Sequence, residues 1–380
     1  VSLLPDFQPR SGRQNALGEV VLANSSQKRQ PWQQWLIWGL SLALIVVVIW
    51  ATRKTLSGAL AEFDRVRKEG GNISVSLGYA FLAGIAYFLG FLPAAWFWYR
   101  VLNWLGQEVS FFRALRAYCI GQLGKYVPGK AWVVILRASF VQGTGVQPAM
   151  AAAGVFLETL TMMSVGAILA ILYLVINLGK NPQLFWVALG LFFLVTLPTL
   201  PPLFRPILRF IAKKGGRQEV SMAVEKLGFA RLAQGWLAMI LLWIMYGLSL
   251  GLTLKALGVD MAMDLSMLPN LVAGVSLATV AGFLVLILPG GLGAREFVLI
   301  AVLAPALASH AQDPSGISPE LAAVLGAGLL RLIWLITEAV IAGVFWLPIM
   351  TVSLLRLSGA GARLGMDGPS PRSCGIEERK

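Results

Sequence analysis

Charged residues, histidine and cysteine are scarce in this chain. Of its 380 residues, 13% are charged and 57% are hydrophobic, whereas a soluble domain carries about 25% charged residues. This deficit excludes an ordinary soluble domain and predicts an integral membrane protein. The single histidine, His310, excludes a His-rich metal site. The two cysteines, Cys119 and Cys374, are far apart in sequence, which argues against a disulfide framework.

Acidic residues are also few, and the formal net charge is +13. Such an excess is compatible with a nucleic-acid partner or with the cytoplasmic Lys and Arg that orient a membrane protein. The hydrophobic composition favours the second reading. We therefore expect no nucleic acid among the partners.

Long hydrophobic runs predict an all-α, polytopic membrane bundle of about eight transmembrane helices. A bilayer core needs about 20 apolar residues in a helix. The hydrophobic runs divide the chain into a polar N-terminal tail at 1–34, a transmembrane domain at 35–352 and a cytoplasmic tail at 353–380. The first run follows about 30 polar residues and has no small-residue cleavage site, so it is expected to be a retained helix and not a signal peptide. The predicted spans are 35–52, 75–99, 149–177, 183–204, 231–256, 270–288, 294–309 and 321–352.

Loop charges predict the orientation. Segment 205–231 and the C-terminal tail are rich in Lys and Arg, so both are expected in the cytoplasm. The loops 258–268 and 310–320 carry Asp and Glu but neither Lys nor Arg, so they are expected outside. Eight spans with both termini in the cytoplasm satisfy these loops. The mixed-charge loop 53–74 disagrees and is interpreted as an interfacial amphipathic helix.

Two Pro-Gly interruptions stand beside charged residues within the apolar sequence. Proline and glycine disfavour an unbroken helix, and broken backbone at membrane depth is tolerated only where protein or water surrounds it. We therefore predict re-entrant or broken helices at both places, and a re-entrant or interfacial hairpin over 111–142. The interruptions read Gly121-Gln122-Leu123-Gly124-Lys125-Tyr126-Val127-Pro128-Gly129-Lys130 and Pro289-Gly290-Gly291-Leu292-Gly293-Ala294-Arg295-Glu296.

The order of features around the two interruptions suggests an internal repeat. Each is followed by a basic apolar segment, a Gly/Pro loop and a long helix that carries a carboxylate, Glu158 in the first unit and Glu338 in the second. Paired interrupted segments in two halves point to a transporter site. A coincidence of Pro-Gly loops remains the alternative.

A nucleotide-binding loop is the other reading of the first interruption. Gly124 to Lys130 fits the pattern G-x-x-x-x-G-K, but Ala131 stands where Ser or Thr would hold Mg²⁺. Pro128 also removes an N–H that a phosphate cradle would use. The sequence therefore excludes a P-loop ATPase.

The string from Gly124 to Lys130, together with Trp132, resembles the signature of the lysylphosphatidylglycerol synthase transmembrane region, a flippase-like domain family. Pro289 to Glu296 resembles the second signature of that family, and Arg331 matches a basic position in its last helix. Glu158 stands where the family often has a Glu-Arg pair followed by a second acid. Here Thr159 and Leu160 follow instead, so the family's ion network is not implied at that place.

The resemblance implies movement of lipids, or of lipid-linked intermediates such as polyprenyl-phosphate sugars, between leaflets of the cell membrane. Two-domain members carry a soluble aminoacyl-transferase domain, and only about 28 polar residues follow the last span here, so lysyl transfer is expected to be absent. We expect no enzymatic activity, catalytic residue, metal or cofactor. Expected partners are anionic or lipid-linked membrane lipids and envelope-biogenesis enzymes. The alternative is a membrane enzyme or accessory subunit acting on a lipid-linked glycan or phospholipid.

The candidate headgroup site follows from the need to carry a charge through hydrocarbon, where fixed polar partners lower the cost. Cations and glycine amides can hold a phosphate, and the acids can balance those cations or accept a cationic headgroup or a proton. Simpler readings stay open, namely orientation charges, helix caps and a structural hydrogen bond for Glu158. The candidates are Lys125, Tyr126, Pro128, Gly129, Lys130, Arg137, Glu158, Pro289, Gly290, Gly291, Gly293, Arg295, Glu296, Arg331 and Glu338.

Overall fold

A computed structural model describes eight segments of the chain, all of which belong to one compact unit, Val48–Lys380. Within them the chain is helical and contains no β-strand, which confirms the predicted all-α class. The predicted span 35–52 lies outside the described residues. The described segments are 75–126, 131–141, 146–176, 182–214, 227–259, 265–284, 294–308 and 318–364.

Ten α-helices follow one another in these segments. Short 3₁₀ turns extend α2, α5 and the start of α8, at Leu123–Tyr126, Leu197–Thr199 and Leu265–Met267. The helices are α1 (Leu77–Trp104), α2 (Phe111–Gln122), α3 (Ala131–Val141), α4 (Pro148–Ile176), α5 (Pro182–Thr196), α6 (Pro201–Lys214), α7 (Phe229–Ala256), α8 (Leu268–Leu284), α9 (Ala294–Ala308) and α10 (Pro319–Leu364).

Five helices of the described residues are long and apolar enough to cross a membrane, and a sixth span results if the bent pair α5–α6 is counted as one. The predicted number of eight is therefore not confirmed. Helix α9, in the predicted span 294–309, has 15 residues. At 1.5 Å per residue it reaches about 22 Å, short of the ~30 Å hydrocarbon core. The predicted span 183–204 corresponds to α5 and the start of α6, which bend by 49°.

Helices α1 and α7 form the centre of the bundle and run antiparallel. The start of α1 meets the end of α7, where Ser76 N donates to Ala256 O at 2.9 Å. Further along, Ser249 Oγ donates to Ala83 O at 2.8 Å. At the other end of the pair, Gly235 has no side chain and the ring of Phe97 occupies that space. Small residues thus allow close packing where lipid provides no hydrophobic drive.

The ends of α1 and α7 share one local structure. Gly106 and Gly258 are the described glycines with positive φ, at 72° and 88°. In each case the glycine N–H donates three residues back, and the next N–H donates to the carbonyl five residues back, Leu102 or Leu254, at 2.9 and 3.1 Å. This is the Schellman arrangement, in which glycine accepts a left-handed conformation without steric cost.

The repeat suggested by the sequence extends over four helices in each half. Helices α1 and α7 each have 28 residues and are followed directly by Leu-Gly, and then by a helix, a break, a short helix and a long helix. Contacts between the halves also correspond, because α2 contacts α10 and α8 contacts α4. Since α1 and α7 are antiparallel, the halves are inverted, an arrangement found in many transporters.

Each half contributes a helical hairpin. In the first, α2 and its 3₁₀ turn pack antiparallel on α3, because Gly121 lies beside Arg137 and Gly124 lies on the backbone of Val133. The described parts of 111–142, which are α2 with its turn and α3, therefore pack as the predicted hairpin requires. In the second, α8 packs antiparallel on α9. Both Pro-Gly interruptions fall at the breaks between paired helices, with residues 127–130 and 285–293 outside the described segments.

Candidate functional site

Lys125 lies at the end of the first hairpin, and its position depends on a close backbone contact. A Cβ atom at Gly124 would lie 2.6 Å from Val133 N, a distance that real Cβ contacts do not reach. Glycine therefore lets the 3₁₀ turn lie directly on the start of α3. The turn then directs Lys125 across the bundle toward α1 and α10.

Lys125 forms an ion pair with Glu338 of α10 in the protein interior. Lys125 Nζ and Tyr87 Oη both donate to Glu338 Oε1, and Lys125 Nζ lies 3.2 Å from Tyr87 Oη. The Glu338 side chain is 0% exposed, whereas that of Lys125 is 28% exposed. The carboxylate is therefore sealed, while part of the Lys125 side chain reaches an open face.

Aromatic rings enclose the carboxylate. Tyr87 stacks on Trp334 with ring centroids 4.2 Å apart and planes 7° from parallel. Tyr246 lies 4.8 Å from Tyr87 and 4.9 Å from Trp334. Rings held in this way restrict the positions that Glu338 can adopt and keep its surroundings dry.

The open face of Lys125 belongs to a small cavity between the two hairpins and α10. Its volume is about 50 Å³, enough for one or two water molecules. Arg295 reaches it from the start of α9, where Nη2 donates to Thr279 Oγ1 at 3.1 Å and the guanidinium lies 5.3 Å from the Trp334 ring. The wall consists of Lys125, Tyr126, Val275, Ala278, Arg295, Leu299, Ala327, Leu330, Arg331 and Trp334.

The second ion pair lies elsewhere, inside the first half. Arg137 Nη1 and Glu158 Oε2 are 2.6 Å apart, with side chains 3% and 1% exposed. Tyr118 Oη donates to Glu158 at 3.2 Å, and the Arg137 guanidinium lies 3.8 Å from the Tyr118 ring centroid. The pair ties α3 to α4 and is sealed from the cavity. The basic partner that the sequence lacks after Glu158 is thus supplied by the hairpin.

The predicted site residues fall into four sets. Lys125, Tyr126, Arg295 and Arg331 share the cavity, with Glu338 behind Lys125. Arg137 and Glu158 form the separate buried pair, which does not line the cavity and corresponds to the structural role left open for Glu158. Glu296 is the third residue of α9. Pro128, Gly129, Lys130, Pro289, Gly290, Gly291 and Gly293 lie outside the described residues.

Sequence reasoning missed Tyr87, Tyr246 and Thr279. Tyr87 and Tyr246 lie in the middle of α1 and α7 rather than near a helix end. A tyrosine at mid-span carries a hydroxyl that needs a buried partner, unlike the tyrosines of an interfacial belt. The mid-helix positions of Tyr87 and Tyr246 could therefore have indicated a buried polar site. The position of Thr279 indicates nothing, because a threonine hydroxyl can donate within its own helix, as it does here to Val275 O at 2.7 Å.

The comparison with known families agrees with the resemblance of the two motifs. The family model of the lysylphosphatidylglycerol synthase TM region matches residues 35–342, which is most of the chain. The chain belongs to this family. No curated protein matches the sequence at a significant level. Membership in the lysylphosphatidylglycerol synthase TM region family and the long apolar helices together identify a multi-pass membrane protein.

Proposed function

We propose that this protein moves an anionic phospholipid or a polyprenyl-phosphate type intermediate between the leaflets of the cell membrane. The observation that carries the proposal is the cavity where the ends of two inverted hairpins meet. There Lys125, Arg295 and Arg331 share one wall. Cations inside an apolar bundle are costly and mark substrate pathways.

The chemistry of the wall favours a phosphate. Arginine presents a planar fork of donors that matches phosphate oxygens, and lysine adds a compact charge. Glu338 balances Lys125 from the sealed side, so the cations face the cavity. Its present volume is too small for a lipid headgroup, so transport requires the hairpins to separate. Inverted repeats that rock about a central site provide such a motion in other transporters.

Reconstitution tests the proposal. Purified protein in vesicles is expected to move a fluorescent phosphatidylglycerol to the outer leaflet faster than protein-free vesicles do, as measured by dithionite quenching. Mass spectrometry of the same lipids distinguishes transport from the enzyme alternative, because an enzyme would form a new lipid product. Transport without a new product supports the proposal. A quenching rate equal to that of protein-free vesicles contradicts it.

The proposed orientation places both termini in the cytoplasm. Cys119 is buried, so a membrane-impermeant reagent is expected not to reach its thiol. A membrane-impermeant maleimide is then expected to leave the protein unlabelled in intact cells and to label Cys374 after permeabilisation. Labelling of Cys374 in intact cells would refute this orientation. Cys374→Ser is the matched control and should abolish the signal.

The inverted halves predict that the two hairpins enter from opposite sides. In a background without native cysteines, Arg113→Cys is expected to react from the cytoplasm only and Leu265→Cys from outside only. Ile120→Cys, at a buried position of α2, should resist both. If Arg113→Cys and Gln142→Cys react from opposite sides, the first hairpin is a membrane span instead. That result would contradict the inverted arrangement of the two halves.

A further inference from the structure

We infer that Glu338 is a proton-binding site coupled to the anion. When a phosphate enters the cavity and binds Lys125 in place of Glu338, the Glu338 carboxylate takes up a proton from water. This inference rests on the proposed function and adds a second ligand, the proton, to the same site. It makes binding of the lipid depend on pH.

The geometry divides the two partners of the ion pair between different environments. Lys125 is the bridging residue, because its Nζ contacts Glu338 and its side chain lines the cavity. Glu338 is sealed and cannot follow it. A phosphate beside Arg295 and Arg331 therefore competes with Glu338 for one ammonium group.

Glu338 has little to replace Lys125. The hydrogen bonds from Lys125 and Tyr87 both go to Oε1, whereas Oε2 is buried and has no hydrogen-bond partner. Without the ammonium group, the carboxylate keeps only neutral hydroxyl groups, those of Tyr87 and Tyr126. A buried charge that has lost its partner is strongly unfavourable, and a carboxyl group escapes this cost by taking a proton.

The other titratable groups around Glu338 are not expected to change charge near neutral pH. The hydroxyl and thiol groups of its surroundings are neutral there, and the guanidinium groups stay charged. Among the described residues around the site, this leaves the Lys125–Glu338 pair as the one that can change charge. The groups that face the carboxylate are Tyr87, Cys119, Lys125, Tyr126 and Tyr246, with Arg295 and Arg331 across the cavity.

The step balances in atoms and charge. The hydrogen bond from Lys125 to Glu338 Oε1 breaks, one from Lys125 to a phosphate oxygen forms, and a proton from water adds to the carboxylate. A phosphodiester carries one negative charge and does not titrate near neutral pH. Its charge and that of the proton cancel, so the loaded site has the same charge as the empty site. An unchanged charge lowers the cost of motion through hydrocarbon.

Proton uptake on binding tests the inference. Dihexanoyl phosphatidylglycerol is titrated into detergent-solubilised protein by calorimetry, in two buffers with different ionisation enthalpies. For wild type we expect about one proton taken up per lipid bound and an affinity that rises as pH falls. Glu338→Gln should bind lipid with no uptake. Glu320→Gln removes an exposed acid in the first turn of α10 and should keep the wild-type number.

The outcomes separate this inference from the proposed function. Binding by wild type without proton uptake, or equal uptake by Glu338→Gln, overturns the inference while the transport proposal stands. Failure of wild type to bind the lipid overturns both. If Glu338→Gln does not fold, Lys125→Met serves instead. Its Glu338 is already protonated in the empty state, so it too should bind without uptake, and uptake by this variant overturns the inference.

Discussion

Lys125→Ala and Arg295→Ala are each expected to lower lipid translocation in reconstituted vesicles about tenfold or more. Each removes a cation from the cavity between the hairpins. A charge-assisted hydrogen bond contributes about 1.5–3 kcal/mol, which corresponds to at least tenfold in affinity. Lys125→Arg keeps the charge and should retain part of the activity. The rates are compared per folded protein, measured by size-exclusion chromatography.

The matched control for these variants is Arg113→Ala. Arg113 is an exposed cation on α2 of the same hairpin and does not line the cavity. Its removal should leave translocation near the wild-type rate. If Lys125→Ala and Arg295→Ala both transport at that rate as well, these residues are orientation charges and helix caps. A loss of equal size in Arg113→Ala would show that any cation of the hairpin matters.

Arg137→Met is expected to produce the largest loss of stability. It removes the partner of Glu158 at a site where both side chains are buried. Breaking a buried ion pair from one side typically costs about 3–5 kcal/mol, because the remaining charge is uncompensated. Thermal unfolding in detergent, followed by circular dichroism or a thiol-reactive dye, measures the shift. The effect should be on folding rather than on the cavity.

Neutralising the remaining acid tests the reason for that loss. Arg137→Met combined with Glu158→Gln is expected to unfold at a higher temperature than Arg137→Met alone, since no buried charge is left without a partner. A double variant that is less stable than the single one would show that packing against Tyr118 and Trp98, and not charge, dominates. Glu320→Gln replaces an exposed acid in the first turn of α10. Added to Arg137→Met or to the double variant, it should leave the unfolding temperature unchanged.

The fold class and the hairpins follow from the sequence because their signals are local. Apolar runs of about 20 residues are typical of spans, and Pro-Gly next to lysine or arginine is typical of a break. The first hairpin and the spans α1, α4, α7 and α10 were therefore predictable. The short α9 was not, because apolar composition does not distinguish a span from a buried half-length helix.

The partners within the site depend on packing and were beyond the sequence. Lys125 and Glu338 are 213 residues apart, and only the meeting of the two halves brings them together. Arg137 and Glu158 were predicted to belong to the same site, but the antiparallel packing of α2 on α3 turns Arg137 away from the cavity. The number of residues between two charged side chains does not predict which of them form an ion pair, either for Lys125 with Glu338 or for Arg137 with Glu158.

The central claim is that a lipid headgroup enters the cavity between the hairpins, and a headgroup-reactive lipid tests it most directly. In a background without native cysteines, Ala278→Cys places a thiol in the cavity wall, where Ala278 is 3% exposed, and Val340→Cys places one on the outer surface of α10, where Val340 is 59% exposed. A phospholipid with a maleimide on its phosphate headgroup is incorporated into the vesicles. The account predicts that it labels Ala278→Cys faster than Val340→Cys, despite the lower exposure. Labelling of Val340→Cys with Ala278→Cys left unmodified would contradict the claim.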